Sequence, residues 1–191
     1  MSNFEALKSE TTVMSVNSFI SDLRSKKSLH VNLNPKYQRG IVWSNRQQIE
    51  FITALMYNMT PHSVILNYNK KKRNKTCIDG KQRSSSILNY IDNEFPIFVE
   101  NEYIYYDSVP NDVDAETHRL MSLDEKSIFL ERKLFIVQYL NLSYDQQRTL
   151  FYHLQHGTKL SAGEKVVALL KGEDNANLMN SFCDELEILM K

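Results

Sequence analysis

Ile78-Asp79-Gly80-Lys81-Gln82-Arg83-Ser84 joins a strand pattern to a helix pattern. Upstream, Ser63–Tyr68 and Thr76–Ile78 read as the two strands of a hairpin, with the Lys-rich turn 69–75 between them. Downstream, Ile87, Leu88 and Ile91 recur at helical spacing and predict a helix over about 84–93. A helix start offers unpaired N–H groups and a partial positive charge. Gly80 lets a ligand approach the backbone, and Lys81 and Arg83 add cationic donors, so the stretch has the makings of a phosphate cradle. The competing reading is a plain strand-to-helix turn with a solvated Lys and Arg.

A second loop sits in the same topological position. Val31–Leu33 reads as a short strand ended by Asn34-Pro35. The polar-aromatic loop Tyr37-Gln38-Arg39-Gly40 follows, and then Trp43 and Ser44. Ser44 with Gln47 makes a capping box for a helix whose expected apolar stripe is Ile49, Ile52, Leu55/Met56 and Met59. Arg39 is expected to join Arg83 across a pocket, with Gln38 reading a polar ligand edge. A surface ion pair is the other reading of Arg39. Trp43, the only tryptophan, is expected to pack the start of its helix.

Further out, Ser15 is placed to cap a helix over 16–26 with Val16, Phe19, Ile20 and Leu23 on one face. Phe95–Val99 and Tyr103–Tyr106 form a second hairpin around Glu100-Asn101-Glu102, and the acidic stretch 107–118 is irregular. Three capping boxes follow, at Ser122/Glu125, Ser143/Gln146 and Ser161/Glu164, with one strand, Leu134–Tyr139, among the helices. Gly157 and Gly172 stand where helix C-caps belong. The fold class is α/β (α+β), with a core over 1–110 and a mainly helical extension over 111–191. Leu134–Tyr139 could return to the first sheet, so the second part is not read as independent.

The 191 residues carry 23 Lys+Arg and 23 Asp+Glu, which excludes a globally cationic nucleic-acid binder and an acidic disordered tail. The neutrality is a cancellation: residues 1–83 carry +9, residues 84–131 carry −9, and the rest balance. Five of the excess bases are Lys70, Lys71, Lys72, Arg73 and Lys75 at the first hairpin. They read either as a solvated turn that keeps a sheet edge soluble or as a salt-sensitive contact to a nucleic-acid backbone. Cys77 and Cys183 have no metal or disulfide spacing and fit a reducing compartment. His153 and His156 are three apart on a helix without a carboxylate or cysteine at ligand spacing, so no metal is expected. No basic leader and no apolar run of about 18 residues is present, so a soluble, cytoplasmic protein outside the membrane is expected. The 17 Asn point weakly to an A+T-rich coding sequence, which leaves a viral origin, and with it a virion or viral factory, open.

Three motifs, in this order, resemble a known family: Gln38-Arg39 with Trp43, then Asp79-Gly80-Lys81-Gln82-Arg83, then Phe151–Glu164. They are similar to the DGQQR-motif domains of the ParB/sulfiredoxin-like superfamily, found in the S half of GmrSD-type modification-dependent restriction systems and in related phage-defence proteins. The resemblance runs from about residue 15 to 170. It implies a nucleoside triphosphate, with Mg²⁺, as ligand, and an NTPase activity centred on Asp79, Gln82 and Arg83. It implies nucleotide contacts from Tyr37, Gln38, Arg39, Gly80, Lys81, Arg83, Ser84 and Gln155. The sequence departs from the family at Lys81, where the family has Gln, and at Gln155, where it has Asn. Those departures bear on hydrolysis more than on binding. No His-Asn-His nuclease segment is present, so cleavage would need a separate nuclease subunit. The alternatives are a DNA-binding module using the basic hairpin and a regulatory protein that kept the fold without turnover. The sequence gives no oligomeric state.

Overall fold

A computed structural model of the chain describes residues 7–25, 29–38, 43–59 and 63–157, without the side chains at 156 and 157. Among the described residues are five helices and two sheets, an α+β content. The order is β1 (Ser9–Ser15), α1 (Val16–Arg24), β2 (Val31–Asn32), α2 (Asn45–Met56), β3 (Ser63–Asn69), β4 (Asn74–Asp79) and α3 (Lys81–Ile91). Then come β5 (Ile97–Val99), β6 (Glu102–Tyr105), β7 (His118–Leu120), α4 (Leu123–Glu131), β8 (Lys133–Leu140) and α5 (Tyr144–Gly157).

The larger sheet runs β1-β8-β3-β4-β2 and the smaller β5-β6-β7. β8 lies between β1 and β3, antiparallel to the first and parallel to the second. It therefore does return to the first sheet, for a hydrophobic reason: Leu134 and Ile136, 0% and 2% exposed, face the same core as Val64 and Leu66. The compact unit holding both sheets covers Met1–Thr149, well past the division expected near 110, because β8 is one of its inner strands. A second unit covers Leu150–Lys191.

Four helices carry a side-chain start signal, at Ser15, Ser44, Ser122 and Ser143, while α3 begins at Gly80 without a side-chain cap. Ser15 accepts a hydrogen bond from Ser18 N. Ser44/Gln47, Ser122/Glu125 and Ser143/Gln146 all form reciprocal capping bonds. Each cap satisfies amides that the helix geometry leaves unpaired and stabilises by about 1 kcal/mol. The expected α1 face, Val16, Phe19, Ile20 and Leu23, is the buried one. Full burial of a side chain such as Phe19 stabilises by roughly 2–3 kcal/mol. Ser161/Glu164 and Gly172 lie outside the described residues.

Three expectations change. The α2 stripe is rotated: Gln48, Phe51, Ile52 and Leu55 are buried, and Met59, beyond the helix end, is 67% exposed. The rotation lets Gln48 reach α3, where Asn89 Nδ2 donates to its Oε1 at 2.9 Å. β1 and β7 had no strand expectation, since both borrow their pairing from strands that come later or earlier in the chain. α3 starts at Lys81, not near 84, for a reason given below.

On the small sheet side, Arg119 bridges Glu102 and Glu125. Hydrogen bonds from Arg119 first, and from Ser122, hold the Glu125 carboxyl down at about 2, against an ordinary 4.5. A carboxyl lowered on folding contributes stability that is present above its unfolded pKa and lost as pH falls through the folded one. Stability should therefore decline as pH drops from 4.5 to about 2. Chemical denaturation across that range should show a shallower decline in Glu125→Gln than in the wild type; equal slopes would remove Glu125 from the acid response.

Candidate functional site at the β4–α3 turn

Cys77, Ile78 and Asp79 end β4, and Gly80 swings the chain into α3. Gly80 is the N-cap residue with φ 100°, ψ 7°, a left-handed conformation in which an L side chain is strained. A Cβ there would also stand 3.0 Å from Val64 Cγ2 and 3.2 Å from Val64 Cα on β3. So the space left by the missing side chain is filled by the neighbouring strand, and it is not a ligand's approach path. Because Gly80 turns so sharply, Lys81, Gln82 and Arg83 form the first turn of α3 instead of a loop before it.

The side chains of this first turn are engaged. Arg83 Nη2 donates to Asp79 Oδ2 at 2.8 Å, one helical turn apart, with both side chains about a quarter exposed (23% and 31%). Gln82 Oε1 accepts from the backbone N–H of Trp43 at 3.3 Å, which ties the Trp43 segment to α3. Lys81 is 8% exposed. Ser84 is corrected: fully buried, it donates its hydroxyl to Gly80 O at 2.9 Å, and Ser86 does the same to Gln82 O at 2.8 Å. A buried hydroxyl needs an acceptor, and the carbonyl four residues back is within reach. Ser84 therefore serves α3 itself and does not face solvent.

Of the second loop, Tyr37, Gln38 and Trp43 are among the described residues. Gln38 Nε2 donates to both Cys77 O (2.7 Å) and Ile78 O (2.8 Å), so this side chain fastens the loop to the end of β4. Tyr37 OH donates to Gln147 Oε1 at 3.3 Å, and its ring meets Tyr144 edge-on at 5.6 Å. Burial first, then Cys77 and Tyr144, push the Tyr37 phenol well above its usual range. Burial also pushes the Cys77 thiol up to about 12, so at neutral pH it is an inert core group and not a nucleophile. Trp43 packs against Phe51, ring centroids 5.7 Å apart, as its packing expectation required.

Two polar atoms remain without a hydrogen-bond partner although buried: Gln38 Oε1, an acceptor, and Arg83 Nε, a donor. One belongs to the segment fastened to the end of β4, the other to the first turn of α3. A buried polar atom without a partner costs about 1–3 kcal/mol. Thr53 Oγ1 and Arg132 Nε share that state elsewhere in the fold.

The remaining site expectations divide. Arg39 lies outside the described residues, so its expected place opposite Arg83 does too. Gln155 is an exposed residue of α5 in the second unit, as is His153. Among the described residues no three His, Cys, Asp or Glu gather as a metal site. In the basic hairpin, Lys70–Arg73 are exposed at the tip. Lys72 N donates to Asn69 Oδ1 and Lys70 N to Asn141 Oδ1, so the tip is held in shape. Lys75 is corrected: it lies inside β4, 8% exposed, in an ion pair with Asp22 at 2.6 Å. Strand alternation turns its side chain towards α1 and removes it from the tip. No signal in the sequence marked Gln38 as the fastener or Gln82 as the latch to Trp43, because both bonds end on backbone atoms 39 or 40 residues away.

Residues 17–171 match the family described as GmrSD restriction endonuclease, N-terminal domain. The chain belongs to that family. No curated protein and no solved structure matches it significantly. The family span contains both converging loops, the whole of the larger sheet except β1, and the small sheet. Among the described residues no helix is long and apolar enough to cross a membrane.

Gly80→Ala tests whether the turn is set by backbone and packing. It should cost about 2 kcal/mol or more, since positive φ and the Val64 contact act together, and lower Tm by roughly 4–8 °C. A change within about 1 °C would mean that the turn relaxes freely.

Proposed function

We propose that this GmrSD-family domain is a ParB/sulfiredoxin-like nucleotide-binding module of a restriction or phage-defence system. The observation that carries the reading is the pair of buried, unpartnered atoms, Gln38 Oε1 beside the end of β4 and Arg83 Nε on the first turn of α3 that follows it. One accepts and one donates, which suits a ligand with both kinds of polar atom. Tyr37, Gln38, Arg39, Lys81 and Arg83 would hold the nucleoside triphosphate. Asp79 is already oriented by Arg83, and Gln82 by Trp43, so in the NTPase version these two side chains would position a water. Mg²⁺ would supply neutralising charge together with phosphate oxygens, since the described residues offer it no carboxylate cage. DNA and a separate nuclease subunit would be the partners through which binding acts.

Calorimetric titration of each NTP with Mg²⁺ is the test. The wild type should bind at least one, and Arg83→Ala should weaken it on the order of tenfold or more, the loss expected for a charge-assisted hydrogen bond. Circular dichroism of the variant checks that α3 survives the loss of the Asp79 pair. No binding by the folded wild type, or unchanged binding by folded Arg83→Ala, would overturn the assignment.

A second reading rests on the four exposed consecutive bases at the β3–β4 tip. It is a DNA-backbone contact without turnover, weakened by salt through counterion release. Filter binding to duplex DNA at low and high salt should show affinity that falls when Lys70–Arg73 are neutralised. Duplex affinity that is absent at low salt, or untouched by the neutralised tip, would end it.

A further inference from the structure

The outer face of the small sheet carries an aromatic ladder that neither proposed loop uses. Strand register sets Phe98 opposite Tyr103 and Tyr103 opposite His118, so one residue from each of β5, β6 and β7 lies in a row on one face. The rings are in contact: Phe98 and Tyr103 centroids are 4.8 Å apart, and Tyr103 stacks on His118 at 4.5 Å with a 17° interplanar angle. The opposite face, through Ile97 and Ile104, is core. Phe98 and Tyr103 are 48% and 40% exposed, and Leu120, two residues beyond His118 on the same face, is 46% exposed. Tyr105, on the same face of β6, is covered at 7% exposure, so the exposed surface is the Phe98–Tyr103–His118 row, and exposed apolar surface of this kind marks an interaction site.

The charge around it selects the partner. The segment 84–131 that contains the small sheet has 11 acids and 2 bases. Both bases are already committed, Arg119 to Glu102 and Glu125, and Lys126 to Asp107. Glu100 stands at the hairpin turn beside Val99, and Asp114 and Glu116 lie in the loop that leads to His118, all exposed. Aromatic platforms for single-stranded nucleic acid sit in basic grooves, and here phosphates would meet like charge.

We propose that the Phe98–Tyr103–His118 face docks a protein partner presenting arginine or lysine side chains. Their cations would lie over the exposed rings, where cation–π attraction adds to apolar contact, while Glu100, Asp114 and Glu116 neutralise them at the rim. The inference is independent of the nucleotide reading.

The probe is an Arg-Gly-Gly repeat peptide, titrated at low salt into the isotope-labelled chain and followed by NMR. Shifts should concentrate at Phe98, Tyr103, His118 and Leu120. The double variant Phe98→Ala/Tyr103→Ala should weaken binding on the order of tenfold, two exposed cation–π contacts. The rim variant Glu100→Gln/Glu116→Gln, which leaves the rings in place, should weaken it severalfold and reduce its salt dependence. Absence of peptide binding at low salt, shifts elsewhere, or unchanged affinity in both variants would overturn the proposal. So would binding of an oligo-dT strand that the double variant removes, which would make the face a nucleic-acid platform. Concentration-dependent self-association that the double variant removes would likewise overturn it, by making the partner a second copy.

Discussion

Gly80 turns β4 into α3 at φ 100°, with Val64 of β3 packed into the place where any other residue would have a Cβ. The rest of the candidate site hangs on that close approach. It fixes the angle at which α3 leaves the sheet, and so places Asp79 and Arg83 one turn apart within hydrogen-bond distance. It also brings Gln82 to the Trp43 backbone. The buried serines complete the arrangement: their hydroxyls return to carbonyls of their own helix, so these polar groups stay paired where α3 lies within the core.

The second structural dependence runs from Gln38. Two carbonyls at the end of β4 accept from one amide, which replaces the ladder partners that a strand end lacks. That bond pair leaves Gln38 Oε1 turned away and without a partner. Together with Arg83 Nε it makes a small local conflict in a fold whose polar groups are otherwise mostly paired, and conflicts of this kind concentrate at functional sites. The Asp79–Arg83 pair shows how the basic segment keeps its balance: the charge proposed for a ligand is already neutralised in part by a carboxylate of the same motif.

The chain's cancelled charge resolves into separate surfaces. Several of the bases of residues 1–83 are held in ion pairs: Lys75 with Asp22 and Arg83 with Asp79 inside the segment, and Arg24 with Asp92 outside it. What remains exposed among the described residues is concentrated at the β3–β4 tip. The −9 belongs to residues 84–131, the segment that contains the small sheet with its exposed Phe98 and Tyr103.

Much of the local architecture was legible in the sequence because its causes are local. Four helix starts were set by side chains within three residues of the amides they cap, and α1's buried face followed from its own 3.6-residue spacing. The two hairpins, the Gln-Arg and Asp-Gly-Lys-Gln-Arg loops, and the family they point to were legible for the same reason. What the sequence could not decide depended on partners distant along the chain. β1 is a strand only because β8 pairs with it more than a hundred residues later. The rotation of α2 was set by Asn89 on α3, and the burial of Lys75 by Asp22 on α1. Ser84 and Lys75 look like ligand groups in one dimension, and only the packed core shows their hydrogen bonds already used. Sequence determined the residue types at the turn; tertiary structure decided which of their polar atoms are left without a partner, because that depends on every neighbour the fold supplies.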